Sequence, residues 1–342
     1  MTTNFRSDNE TPVATAILEA IIEANHGTAW AYAEDDWSER LDQAFSDLFR
    51  TDAIVLPVST GTVANSIALA IVTPPWGSVF CHSGAHIQND ECGAPEFFGN
   101  GLRLVPVDGE HGKLNPEVLE SAVKATEGHG VHSYIPSALS ITQATEGGTV
   151  YSVDEVRALC ESARGMGLKT HMDGARFGNA IASLGCHPAE VTVEAGIDML
   201  SFGTSKNGCM AAEALVKFNQ PQWRENAERL RKRSGHLLSK MRYVSAQLLA
   251  YIENDRWLDM ADHANRQAAK FAVAVENHTE AFLKFPVQAN EVFVNWNFAF
   301  HIKSQIGKTV SNLRPVGYAA FTTATRASSL NLASTKYSAG NK

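Results

Sequence analysis

From residue 50 onward, short apolar runs rich in β-branched residues alternate with longer stretches whose apolar positions recur at helical spacing. The run "AIVLPV" gives way to "TVANSIALAIV", and "SVFCH" and "RLVPV" precede "NPEVLESAVKAT", where Asn115 and Pro116 stand at the cap and first turn of a predicted helix. Further on, "SALSIT" leads to "SVDEVRALCESARGMG", "KTHMD" to "GARFGNAIASLG", and "DMLSFG" to "TSKNG" and the apolar "EALVKF". Strands trading places with helices in this way predict an α/β fold, a doubly wound and mostly parallel sheet covered by helices. Before it, "TPVATAILEAIIEAN" reads as an amphipathic helix with Pro12 near its start; after it, "WRENAERLRKRSG" and "SKMRYVSAQLLAYIEN" read as long helices. A helix from about Asp255 to Asn277 is expected to open a smaller domain, which divides the chain into residues 1–254 and 255–342. There is no internal repeat and no linker of biased composition.

Length and charge narrow the classes of function. A chain of 342 residues buries a large core, and a net charge of −8 argues against nucleic acid or an anionic membrane as partner, leaving a small-molecule enzyme. The start "MTTNFRSDNE" lacks the pattern of a secretory signal and no apolar run reaches membrane-spanning length, so a cytoplasmic protein is expected. Five widely spaced cysteines without a CxxC pair indicate neither a disulfide framework nor a zinc site, only reduced and mostly buried thiols. The last fifty residues depart from the rest. After Glu291 there are six basic residues and no acidic one, a net +6 against −14 for the preceding part, and the Ser/Thr-rich ending shows no helical or strand period.

Chemistry concentrates where strands end, because open α/β sheets bind ligands outside the carboxyl ends of their strands. Asp173 closes the run "KTHMD", in mainly small and apolar surroundings; an acid at such a place is often only a helix cap. Lys206 follows the next strand, 33 residues later, and reaches the same sheet edge. A lone lysine is usually solvated, but an amine and a carboxylate on neighbouring strands are the pair that pyridoxal 5'-phosphate requires: a lysine to bind its aldehyde and an acid to keep its ring nitrogen protonated. A third element is "STGTVANS", where Gly61 and Thr62 open a helix after a strand and free amides can hold a phosphate, although such a turn is commonly plain turn chemistry.

The segments "FRSDN", "STGTVAN", "GAHIQNDECGAPEFF", "HMDGARFGNA" and "SFGTSKNG", in this order and at these spacings over roughly residues 5–293, resemble the low-specificity L-threonine aldolases and the related phenylserine aldolases. The resemblance implies fold type I of the pyridoxal-phosphate enzymes, the aspartate-aminotransferase-like class, with a seven-stranded large domain and a small α+β domain. It implies that Lys206 carries the cofactor, that Asp173 partners the ring nitrogen and that His86 lies against the ring near the substrate hydroxyl, suited to proton transfer. Arg176, three residues after Asp173, is expected to bind the substrate carboxylate with a two-pronged contact, a structural salt bridge being the alternative. Ser7 is expected to assist it, and Arg231, within the basic run "RLRKRSGH", to approach the cofactor phosphate, in the family often across a subunit boundary. Glu91 and Gln143 fall in loops at the rim of the site without an assigned role.

The implied activity is cleavage of L-threonine, L-allo-threonine or related β-hydroxy-α-amino acids to glycine and an aldehyde, by a dimer or tetramer. Two other readings stay open: a cofactor-binding large domain with little turnover, and a related β-eliminating lyase. The first arises because the resemblance ends near Asn295, where the family has a strand with a second carboxylate-binding arginine and then an acidic, helix-forming finish. Arg314 and Arg326 stand outside the expected motif, and a sequence read out of frame from about this point would change composition in the same way.

Overall fold

A computed structural model of the protein describes residues 5–126, 128–296 and 316–320. Its centre is a seven-stranded sheet of β1 (Ala53–Val58), β2 (Gly77–His82), β3 (Arg103–Val107), β4 (Ile135–Thr142), β5 (Lys169–Gly174), β6 (Met199–Phe202) and β7 (Glu213–Phe218), in the order β1-β7-β6-β5-β4-β2-β3. All neighbours run parallel except β7, which is antiparallel to both β6 and β1. The strands fall on the apolar runs read from the sequence, and β1, β3 and β7 coincide with "AIVLPV", "RLVPV" and "EALVKF".

Helices cover the sheet and begin where the sequence offers caps. Asn115 accepts a hydrogen bond from the Val118 amide with Pro116 in the first turn, and Ser152 and Glu155 form a reciprocal capping box at the start of Val153–Gly165. The helix Gly61–Val72 is apolar almost all round, with Val63 to Leu69 buried, because sheet, neighbouring helices and site enclose it. One expected start shifts: the first long helix spans Thr15–Glu23, not the vicinity of Pro12. The preceding residues are drawn extended toward the Lys206 turn, where the Ala14 amide donates to the Gly208 carbonyl at 2.9 Å.

The main core lies between the sheet and the helices on one of its faces, and its centre is a set of rings. Phe45, Phe49, Phe177, Phe202, Phe218, Tyr251 and Trp257 are fully or almost fully buried, with Phe177 stacked on Trp257 at 6.0 Å and 8° and Phe45 meeting Phe202 edge-on at 5.2 Å. Trp257 belongs to the long helix Arg256–Glu276, which thereby docks on Phe177–Leu184. Beyond it stands a small antiparallel sheet, β8 (Ala281–Leu283), β9 (Glu291–Trp296) and β10 (Val316–Ala320), in the order β10-β9-β8. No period marked β10 in the sequence; backbone bonding to β9 holds it, with Tyr318 opposite Phe293. The sequence departure from about Asn295, including Arg314 and Arg326, otherwise lies outside the described residues.

Cys81, Cys160 and Cys209 are buried, Cys186 is half-buried and Cys92 exposed, all as free thiols. No helix among the described residues is long and apolar enough to cross a membrane. The ring cluster sets a stability expectation. Phe177→Ala, which deletes a buried ring and its stack on Trp257, lowers unfolding free energy by about 3–5 kcal/mol, read from urea unfolding midpoints.

Candidate active site

The carboxyl ends of β1, β4, β5 and β6 share one edge of the sheet, and β7, being antiparallel, begins there. A cavity of about 350 Å³ opens at this edge, lined among others by Thr60, Gly61, His86, Asp173, Lys206 and Glu213. Topology alone thus brings together residues 153 positions apart, from Thr60 to Glu213.

Asp173 ends its strand buried at 3% exposure. Its Oδ1 accepts from the Ala175 amide at 3.0 Å, as a turn-capping acid does, while Oδ2 accepts from Asn65 Nδ2 at 2.9 Å. One oxygen of this carboxylate thus caps the turn and the other binds Asn65. Asn65 lies one turn after Gly61 on the same helix face, and its Nδ2 also donates to Glu91 Oε1 at 2.8 Å. Glu91 in turn pairs with His86 Nδ1 at 2.9 Å. The hydrogen bond to Glu91 raises the His86 pKa above its ordinary 6.5, with help from the charge of Asp173 and against partial burial. Burial, together with Asp173, pushes the Glu91 carboxyl up. The loop carrying His86 is tied down by Glu146, whose Oε1 accepts from the His86 amide and from Thr142 Oγ1, both at 2.8 Å.

Behind Asp173 on the same strand, His171 is sealed between two serines, Ser140 Oγ on Nδ1 and Ser201 Oγ on Nε2, each at 2.9 Å. Complete burial lowers its pKa to about 4. The ring is neutral at pH 7 and adds no charge behind Asp173.

Lys206 sits in the one-turn helix Ser205–Asn207. Glu213 accepts from the Thr204 and Ser205 amides at 2.9 and 3.3 Å, and Asn207 donates to Tyr251 Oη at 2.7 Å and to the Trp257 carbonyl at 2.9 Å. Burial raises the Glu213 carboxyl pKa. The approach of this turn to β5 requires glycine: a Cβ on Gly203 would stand 2.6 Å from Ala175 Cα and from the Gly174 carbonyl oxygen. Gly208, at φ +117°, ends the turn in a conformation that other residues rarely adopt.

At the expected phosphate end, Thr60 caps the helix Gly61–Val72, and Ser59, Thr60 and Gly61 line the cavity. Thr62 lies one residue further in, its carbonyl accepting from Ser66 Oγ. A Cβ on Gly61 would meet nothing within 4 Å, so open space stands before the first free amides. Arg231 is buried behind β1, with Nη1 toward the Pro57 carbonyl at 3.4 Å.

The remaining expected residues are engaged differently. Arg176 offers a filled fork: Nε and Nη2 donate to the two oxygens of Asp8 at 2.7 and 3.0 Å, and Nη2 also meets Glu291 Oε1 at 3.0 Å. Burial opposes ionisation of Asp8, yet Arg176, Lys206 and the Asn290 amide bring its pKa below the ordinary 3.8. Ser7 caps the short turn Asp8–Glu10 by accepting from the Asn9 amide at 3.2 Å, and Asn9, not Ser7, lines the cavity. Gln143 is a structural residue, exchanging hydrogen bonds with the Tyr151 backbone. Sequence reasoning passed over Asn65, Thr60, His171 and Glu213. A threonine before a glycine-led helix and an asparagine four residues after that glycine were the available signals.

This donor set suits pyridoxal 5'-phosphate: a buried carboxylate for a ring nitrogen, an amine on the adjoining turn, an imidazole at the cavity and an open helix terminus. The family model described as beta-eliminating lyase matches residues 4–298. The chain belongs to the beta-eliminating lyase family. Membership makes it a lyase that uses pyridoxal 5'-phosphate. The chain is 43% identical over 294 residues to a low specificity L-threonine aldolase of Pseudomonas aeruginosa, covering 86% of this chain and 84% of that one. It is 43% identical over 291 residues to the enzyme of the same name from a Pseudomonas species, at 85% and 83% coverage. Among solved structures, the threonine aldolase of Leishmania major superposes with a TM-score of 0.82 at 25% identity, covering 94% of each chain.

The sealed histidine predicts an acid-sensitive window. The folded state binds a proton at His171 only near pH 4, whereas an unfolded chain binds it near 6.5, so the unfolded state gains protons first as pH falls. Stability therefore drops from pH 6.5 toward 4, and His171→Asn flattens that part of the curve when urea midpoints are followed across pH.

Proposed function

We propose that the chain is an aldehyde-lyase that cleaves L-threonine, L-allo-threonine or related β-hydroxy-α-amino acids, phenylserine among them, to glycine and an aldehyde. The observation that carries this reading is the meeting of Lys206, buried Asp173 and His86 at one cavity, in a chain 43% identical to low specificity L-threonine aldolases.

Lys206 would hold the cofactor covalently, Asp173 its ring nitrogen, and Gly61 and Thr62, with Arg231 behind them, its phosphate. When bound, the cofactor supplies an electron sink conjugated to the substrate Cα. His86 is the proposed base: directly or through a water, its imidazole takes the proton of the β-hydroxyl as the Cα–Cβ bond breaks and the aldehyde forms. Arg176 and Ser7 are proposed for the substrate carboxylate, which orients the breaking bond. Because Asp8 fills the fork of Arg176 here, an arriving carboxylate would share or replace that pairing. Supporting the reading from the rear, His171 is neutral and brings no competing charge to the carboxylate proposed for the ring nitrogen.

The protein is further proposed to be cytoplasmic and to act as a dimer or tetramer, with residues 1–254 forming the large domain and 255–342 the small one. The acidic balance of the chain, −8, fits a small-molecule enzyme better than a nucleic-acid or membrane binder.

Purified protein given pyridoxal 5'-phosphate should show a visible absorption band that borohydride removes, and Lys206→Ala should lose both band and turnover. Incubation with L-threonine, L-allo-threonine or phenylserine should release glycine with acetaldehyde or benzaldehyde. Pyruvate and ammonia from serine or cysteine would instead indicate β-elimination, and a band without turnover a binding domain alone. His86→Ala should reduce kcat about 100-fold or more; wild-type rates in that variant would remove His86 from its role.

A further inference from the structure

We infer that Glu91 is a positioning residue for His86, and that Asn65 joins the two into a relay with Asp173 that keeps a proton on His86 Nδ1 and leaves Nε2 for proton transfer. The inference rests on the reading of His86 as the base and extends it to two residues without an assigned role.

The donor and acceptor inventory carries it. An amide nitrogen has two hydrogens and accepts nothing, and Asn65 Nδ2 stands 2.8 Å from Glu91 Oε1 and 2.9 Å from Asp173 Oδ2. Turning the amide over would set an oxygen against two carboxyl oxygens, so the nitrogen belongs there. Glu91 Oε1 is thus already an acceptor when His86 Nδ1 approaches it at 2.9 Å. The other oxygen of Glu91 is buried without a hydrogen-bond partner among the described residues. As a carboxylate Glu91 can only accept, which obliges Nδ1 to donate and fixes the tautomer. The Glu91 side chain is fully buried, whereas that of His86 is 39% exposed, so the carboxylate is the anchor and the imidazole the moving part.

The proton balance follows. Nε2 takes the hydroxyl proton of the substrate, the O–H electrons form the carbonyl, and the Cα–Cβ pair stays with Cα until a proton returns there to complete glycine. The imidazolium made in this step is stabilised by Glu91 and by Asp173 and opposed by Lys206, the charged groups that face it; Glu146 touches only its backbone amide. Asn65 adds coupling: its amide binds both carboxylates, so a change of charge at Asp173 is felt at Glu91 and then at His86.

Glu91→Gln preserves shape and the accepting oxygen but removes the charge. In full-length protein, with and without pyridoxal 5'-phosphate, the His86 ring signal is followed by NMR across pH and assigned through its loss in His86→Asn. The expected result is that His86 titrates at lower pH in Glu91→Gln than in wild type, that the acidic limb of kcat/KM moves the same way, and that kcat falls on the order of tenfold with KM little changed. Glu91→Ala, which also frees the ring, should lose more activity than Glu91→Gln at comparable Tm; if the alanine variant does not fold, the glutamine variant decides alone. Unchanged titration of His86 in Glu91→Gln, or a wild-type pH profile and kcat, overturns the relay. Should wild-type protein cleave none of the β-hydroxy amino acids, the functional reading falls, while a displaced NMR titration still upholds the Nδ1 pairing.

Discussion

A buried carboxylate is costly unless its surroundings supply donors, and the architecture of this site follows from supplying them to Asp173 at 3% exposure. One oxygen is met by the Ala175 amide and the other by Asn65. His171 behind it is neutral, and Lys206 stands at the same cavity. Sheet topology is the precondition: β5 and β6 end side by side, with Asp173 opposite Ser201.

The amine arrives by a different device. A lysine on a loop would lose side-chain and backbone freedom on ordering, and here much of that ordering is done by backbone contacts of the turn itself. Glu213 receives two of its amides, Asn207 binds the aromatic core through Tyr251 and Trp257, and the N-terminal segment adds the bond from Ala14 to Gly208. The Tyr251 hydroxyl and the Trp257 backbone carbonyl, from two residues whose rings lie in the core, thus hold the Lys206 turn. The reversed direction of β7 is what allows Glu213, at its first residue, to reach the edge where the other strands end.

Arg176 ties three distant parts together: β5 through its position, the N-terminal segment through Asp8 and the small sheet through Glu291. Removing one partner from such a buried set leaves an uncompensated charge, typically costing about 3–5 kcal/mol. The small sheet is therefore coupled to the site at β9, close to where the family resemblance ends. Integrity of the site depends on that strand even though none of its residues lines the cavity described here.

The α/β order, most strand limits, the helix caps at Asn115 and Ser152, and the arrival of Asp173 and Lys206 at one sheet edge are readable from the chain alone. These are legible because they rest on local periodicity, on cap chemistry and on the rule that strand ends face the ligand. It took the folded chain to show that Arg176 is filled by Asp8 and Glu291, that Asn9 replaces Ser7 at the cavity, and that Asn65 and Glu91 link His86 to Asp173. Those are contacts between residues 5 to 168 positions apart, made in a register that no local pattern encodes. A side chain's partner depends on which strands lie beside each other and how far each turn reaches, and both emerge only when the whole core is packed.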